Sequence, residues 1–144
     1  LDAAGTNVNL VSVYQHPDAD RILYALLEER EGADAVNISH NGKTPAWREH
    51  LKFFRSKPYR VWFLIHVEDL IVGSIYLSKQ DEIGVFLFRA FQGHGYGPAA
   101  IKELMRRTPR RRYLANLNPA NDRSKAMFER LGFRHVQETF ELAQ

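Results

Sequence analysis

The chain has 144 residues, a net charge of +3 from 20 Lys+Arg against 17 Asp+Glu, and no cysteine. That length suits a single domain over residues 1–144, and a content of 44% hydrophobic and 26% charged residues excludes a disordered chain. Without cysteine there is no disulfide framework, no thiolate zinc site and no cysteine nucleophile.

No apolar run approaches the ~20 residues that span a bilayer. The first residues, Leu1-Asp2-Ala3-Ala4-Gly5, have neither the basic start nor the apolar stretch of a signal peptide. A cytoplasmic protein without membrane contact is the expectation. Alternating apolar positions over 8–14 predict a first strand. Asp18 can then cap a helix whose Ile22, Leu23, Leu26 and Leu27 recur at helical spacing. A polar, irregular stretch covers 31–43, long enough for a functional loop. Thr44 and Pro45 restart a helix as cap and first-turn proline, with Trp47, Leu51 and Phe54 on one face.

From Tyr59 the period changes to two. Val61, Phe63, Ile65 and Val67 alternate with Trp62, Leu64 and His66; Glu68-Asp69 turns the chain into 70–79, and Gln80-Asp81 turns it into 82–88. Three strands with short turns make an antiparallel meander, apolar enough on both faces to be covered twice. A glycine-rich loop follows, then a helix over 97–107 with Ile101, Leu104 and Met105 inward. A strand is expected over 113–117. Asn121 or Asp122 starts a last helix with Ser124, Phe128 and Leu131 on one face and Gly132 as its stop. Closing strands are expected at 133–137 and 139–142. The order implies an α+β fold, a mixed sandwich with a mostly antiparallel central sheet flanked by about four helices.

Arg106, Arg107, Arg110, Arg111 and Arg112 fall within seven positions. Clustered arginine suits phosphate neutralisation, as in RNA binding. A solvated helix C-terminus, where cations complement the macrodipole, explains the same residues. No nucleic-acid-binding motif accompanies them.

The segment with chemical content is Gln92-Gly93-His94-Gly95-Tyr96-Gly97-Pro98, between a strand and a helix. Glycines at alternate positions let the backbone bend tightly and approach a ligand without Cβ clashes. Amides at the head of a helix form a nest that favours an anion. Ordinary turn glycines would look the same. No Gly-Lys-Ser/Thr follows, so this is not a Walker loop, and the spacing and preceding meander fit a Rossmann fingerprint poorly.

Gln92-x-x-Gly95-x-Gly97, opening a helix after a strand, resembles the acetyl-CoA pyrophosphate loop of the GNAT superfamily of N-acetyltransferases. Downstream, Asn118 to Ser124, then Phe128 and Leu131-Gly132-Phe133, resemble that family's Asn-x-x-Asn-x-x-Ser/Ala helix with its aromatic-x-x-x-Gly-Phe end. The resemblance implies a GNAT-like fold with a splayed strand pair and acetyl-CoA as acetyl donor. By the same resemblance, backbone at Val85, Phe86 and Leu87 holds pantetheine, Gln92, Gly93, His94, Gly95, Tyr96, Gly97 and Pro98 form the pyrophosphate loop, and Asn121, Ser124 and Phe128 complete the cofactor side. Arg123 and Lys125 reach the 3′-phosphate or line a solvated helix face. Many members carry a tyrosine where this chain has Phe128, and phenylalanine has no proton to give. Water, Tyr76 or slow transfer are the alternatives.

Acyl transfer to an amine needs a proton acceptor. Glu82 is the catalytic candidate, with an exposed strand-end carboxylate as the plain alternative. His66 reads as a core histidine and His94 as a loop filler; no set of residues suggests a metal. For the acceptor, Ser39, His40 and His50 are the binding candidates, the histidines having structural readings too. The run from Asn37 through His50-Leu51-x-Phe53-Phe54 to Tyr59-Arg60-Val61-Trp62-Phe63-Leu64 resembles N-acetyltransferases of nucleotide-linked amino sugars. That implies a small-molecule amine acceptor, no nucleic-acid partner and, as is common in the family, a homodimer. Two rivals stay open: acetylation of a protein N-terminus, lysine, polyamine or antibiotic amine, and a non-catalytic acyl-CoA-binding module.

Overall fold

Alternating apolar residues become strands where a neighbour completes their hydrogen bonds. The computed structural model describes residues 7–33 and 43–144. Within them β1 (Asn9–Ser12), β2 (Val61–Val67), β3 (Leu70–Leu77) and β4 (Ile83–Leu87) form one antiparallel sheet in chain order. Helices α1 (Ala19–Ala33) and α2 (Trp47–Arg55) lie between β1 and β2; α3 (Tyr96–Arg107) and α4 (Asp122–Arg130) follow β4. This is the expected α+β sandwich.

Both faces of the sheet are covered, as its two-sided apolar pattern requires. On one face Phe63, Ile65, Ile75, Leu77 and Ile83 pack with Ile101 and Leu104 of α3 and Phe128 of α4. On the other, Leu64 packs with Val13, Ala19 and Leu23, and Phe54 and Trp62 close the edge of that cluster. Fully burying one such side chain stabilises the fold by about 1.5–3 kcal/mol. The meander's three entry turns each hold a non-glycine residue at positive φ: Lys57 (50°) before β2, Glu68 (56°) in the β2–β3 hairpin, and Asp81 (65°) before β4.

Several elements differ from expectation. The first strand stops at Ser12, because its Oγ accepts from Tyr14 N (3.2 Å) and tightens Val13–Gln15 into a 3₁₀ turn. Thr44 does not cap α2: the cap is Ala46, without a side-chain bond, and Thr44 Oγ1 donates instead to Leu27 O on α1. The irregular stretch begins later, since residues 31–33 complete α1, and 34–42 fall outside the described residues.

The strand expected at 113–117 is reduced to one parallel bridge, Glu82 to Leu114. Tyr113 is pulled away by α3, its hydroxyl donating to Thr108 O (2.8 Å), and past Leu114 the segment parts from β4. The closing strands at 133–137 and 139–142 are not strands here. Alternation makes a strand only beside a partner, and among the described residues this segment has none: Val136, Phe140 and Leu142 are 61%, 90% and 84% exposed. The arginine cluster is largely structural. Arg106 pairs with Glu103, Arg110 with Asp81, and Arg107 donates to Leu10 O while lying over the Phe63 ring. Among the described residues, no helix is long and apolar enough to cross a membrane, and no group of His, Cys, Asp or Glu forms a metal site.

Candidate active site

The residues of β4 alternate in role. Glu82, Gly84, Phe86 and Phe88 turn their backbone groups to β3, shown by Ser78 N donating to Glu82 O and Phe88 N to Val72 O. Ile83, Val85 and Leu87 therefore turn theirs to the other edge. Ile83 N bonds Leu114 O at 2.7 Å, and there the partner leaves. Gln92 Nε2 covers Leu87 O at 3.3 Å, while among the described residues the Val85 backbone has no partner on that edge. A short open strand edge of this kind pairs with an extended, amide-bearing chain.

Directly beyond that edge lies the glycine loop. Gly93 and Gly95 adopt φ of 82° and 81°, a left-handed conformation costly for any residue with a Cβ. Gly95 is the N-cap of α3 and supplies no side-chain bond, and Pro98 removes one amide from the first turn. The amides of Gly95, Tyr96 and Gly97 are left at the positive end of the helix dipole. Arg123 from α4 adds charge: its Nη2 is 3.3 Å from where a Gly93 Cβ would stand, and its Nη1 donates to Gln92 Oε1. Gly97 is buried, with Met127 Sδ 3.3 Å from its would-be Cβ, so the missing side chain is what lets α4 close on α3. The nest fits an anion, and the strand beside it fits an extended chain.

The other expected positions divide. Asn121 caps α4, its Oδ1 accepting from Ser124 N at 3.1 Å, so both belong first to the helix start. His94 is exposed and lies against Tyr96. Phe128 is 5% exposed in the core, edge-on to Phe133. His50 is 3% exposed; Nε2 lies 2.7 Å from Asp20 O, and its ring packs on Tyr24 and Trp47. It clamps α2 to α1. Ser39 and His40 lie outside the described residues. His66 faces His16, and burial holds its imidazole below the ordinary range.

Glu82 stands where β4 and the 114–117 segment divide. Oε2 accepts from Asn116 Nδ2 (2.7 Å) across the gap, and Oε1 accepts from Ser78 Oγ (3.3 Å). A carboxylate has about four lone-pair positions, so about two remain for another donor. Beside it is an aromatic group that sequence reading passed over except for Tyr76. Tyr59 and Tyr76 stack at 3.8 Å and 5°, Phe86 is tilted against Tyr76 at 6.2 Å, and the Arg30 guanidinium lies 3.7 Å from the Phe86 centroid. Asn116 and Arg30 carried no sequence signal, because both act through partners far away in the chain.

Burial is the main cause that pushes both phenols above their ordinary value of 10.0, with mutual coupling adding to the shift at Tyr59. Above pH 10 the unfolded chain releases protons that the folded chain keeps, so stability falls with rising pH by up to about 1.4 kcal/mol per unit per phenol. Urea midpoints measured at pH 9, 10 and 11 are expected to decline, and to decline less steeply in Tyr59→Phe. Parallel curves would show that Tyr59 ionises alike in both states.

The family described as "Acetyltransferase (GNAT) domain" matches residues 8–134. No curated protein sequence matches the chain. Among solved structures, an acetyltransferase from Thermus thermophilus is similar at 20% identity and a TM-score of 0.69, over 92% of this chain and 90% of that one. The yncA protein from Salmonella typhimurium, solved with its cofactor acetyl-CoA, is similar at 16% identity and 0.68, over 91% and 80%. The microcin C7 self-immunity acetyltransferase MccE, solved with acetyl-CoA and AMP, is similar at 16% identity and 0.63, over 88% and 78%.

Proposed function

The chain belongs to the GNAT acetyltransferase family, and from that premise we propose that it moves an acetyl group from acetyl-CoA to the primary amine of a small molecule. The observation that carries this reading is the open β4 edge leading straight into a left-handed glycine nest with an arginine over it. Acetyl-CoA supplies an activated thioester acetyl. On the protein side, Val85 and Leu87 offer the backbone edge for pantetheine, the Gly95, Tyr96 and Gly97 amides take pyrophosphate oxygens, and Arg123 adds charge to the same anion. Gln92 holds the loop to Leu87 and Arg123.

Glu82 takes the proton that the amine must lose. Its carboxylate is fixed on both oxygens and keeps lone pairs for that proton. Glu82→Gln keeps the shape but turns one acceptor oxygen into a donor, so it removes the base together with one of the two hydrogen bonds. Its kcat is expected to fall by about 100-fold with loss of the acidic limb of the pH–rate profile. A wild-type profile would remove Glu82 from the chemistry.

The acceptor we assign is a nucleotide-linked amino sugar. Supporting it are the groove of about 640 Å³ along α2, where Arg48, Lys52 and Arg55 lie beside the exposed Trp47, and the AMP held by MccE. Cations and a flat ring suit a diphosphate and a base. The test is calorimetric titration with acetyl-CoA, paired with thiol release over amino sugars, nucleotide amino sugars, amino acids, polyamines and N-terminal peptides. Turnover confined to nucleotide amino sugars supports the assignment. Turnover on another class replaces the acceptor and keeps the enzyme, and binding without turnover on any amine favours a silent module.

A further inference from the structure

Phe128 occupies the place where the family resemblance calls for a phenol, and it carries no transferable proton. A phenol nevertheless reaches β4, from the adjacent strand. Tyr76 is directly opposite Gly84 in the β3–β4 register. A Cβ built on Gly84 would stand 2.2 Å from Tyr76 Cε2 and Cζ and 2.5 Å from its Oη. The ring therefore lies flat across β4, and its hydroxyl sits a full strand spacing of ~4.8 Å away from β3, toward the open edge. Gly84 is the seat that admits it.

The ring is held. Tyr59 stacks on it at 3.8 Å and 5°, and Phe86 with Arg30 above it closes the side toward α1. Glu82, two residues before Gly84 and on the same face of β4, acts on Tyr76 through its charge. Burial, the main cause of the Tyr76 shift, keeps this phenol protonated through the neutral range.

We propose that Tyr76 is the proton donor to the departing sulfur, and that Glu82 returns a proton to it after each turnover. The assignment rests on the acetyl-transfer reading above. The amine nitrogen bonds to the acetyl carbon, the bond from that carbon to sulfur breaks, and the sulfur takes the Tyr76 Oη proton. The surplus proton on nitrogen goes to Glu82. A carboxylic acid is a much stronger acid than a phenol, so Glu82 then reprotonates Tyr76 and both side chains end as they began. No other reactant is consumed. Tyr59 is a positioning residue, since it touches the donor and not the reacting atoms.

The test compares wild type with Tyr76→Phe, which removes one oxygen and keeps the stack. Expected are a fall in kcat of about 100-fold with KM for acetyl-CoA unchanged, and a second effect independent of turnover. In the complex with CoA, thiolate absorbance is expected to appear about one pH unit lower in wild type than in Tyr76→Phe, because only the phenol donates to the thiolate. Gly84→Ala retains the hydroxyl but unseats it, and is expected to lose rate to a similar extent. A wild-type kcat in Tyr76→Phe, or identical thiol titrations, overturns the donor. Failure of the wild-type protein to bind acetyl-CoA would instead overturn the underlying reading.

Discussion

Gly73→Ala is expected to cost about 3 kcal/mol of stability, at the upper end of what overpacking usually produces. Gly73 pairs with Leu87 at the end of β4. A Cβ there would stand 2.1 Å from Phe86 O and 2.9 Å from Leu87 Cα. Both are backbone atoms, so no rotamer change relieves the clash; β4 must move off β3. On its other side Gly73 is paired with Ile65 of β2, next to the register shift at Ile65/His66. Urea unfolding followed by circular dichroism measures the loss. Because β4 also carries the open edge, acetyl-CoA affinity is expected to fall in parallel. An unfolding free energy within about 0.5 kcal/mol of wild type would show that the two strands separate at little cost.

Gly95→Val is expected to weaken acetyl-CoA binding by about 100-fold, or ~2.7 kcal/mol, with little effect on the core. Gly95 is exposed, so valine meets no crowding there; its φ of 81° is what valine resists. A β-branched residue in the left-handed region is disfavoured by about 1–2 kcal/mol. The backbone escapes by rotating the very amides that form the nest. Hydrogen bonds to a charged group contribute about 1.5–3 kcal/mol each, so misaligning one or two accounts for the loss. Calorimetric titration measures it directly. Unchanged affinity would place the pyrophosphate elsewhere.

What the sequence made legible was local. The glycine loop, the Asn121 cap and the β2–β3–β4 meander are each written within a dozen residues, by φ requirements, cap chemistry and period-two alternation. The parting of β4 from 114–117 was not, because it depends on Tyr113 being tethered to the end of α3. The seating of Tyr76 on Gly84 depends on register, and one residue of slip would put the phenol on the other face. His50 carried an acceptor-binding and a structural reading, and the partner that decides its place is a carbonyl thirty residues away on α1. The apolar alternation after Phe133 promised strands and found no neighbour among the described residues.

The positive φ at Lys57 and Glu68 marks a reserve of thermal robustness. Lys57 follows the C-terminus of α2, and Glu68 is the first residue of a two-residue hairpin loop, both places where glycine is the usual occupant. Asp81 already has a residue type tolerant of that conformation, and its carboxylate is committed to Arg110. Lys57→Gly and Glu68→Gly relax the backbone at two turns outside β4. With glycine's entropy cost deducted, each leaves a gain of up to about 1 kcal/mol. An engineer seeking a hardier catalyst would begin at Glu68, since at Lys57 the change also gives up the ammonium's place over the Tyr14 ring.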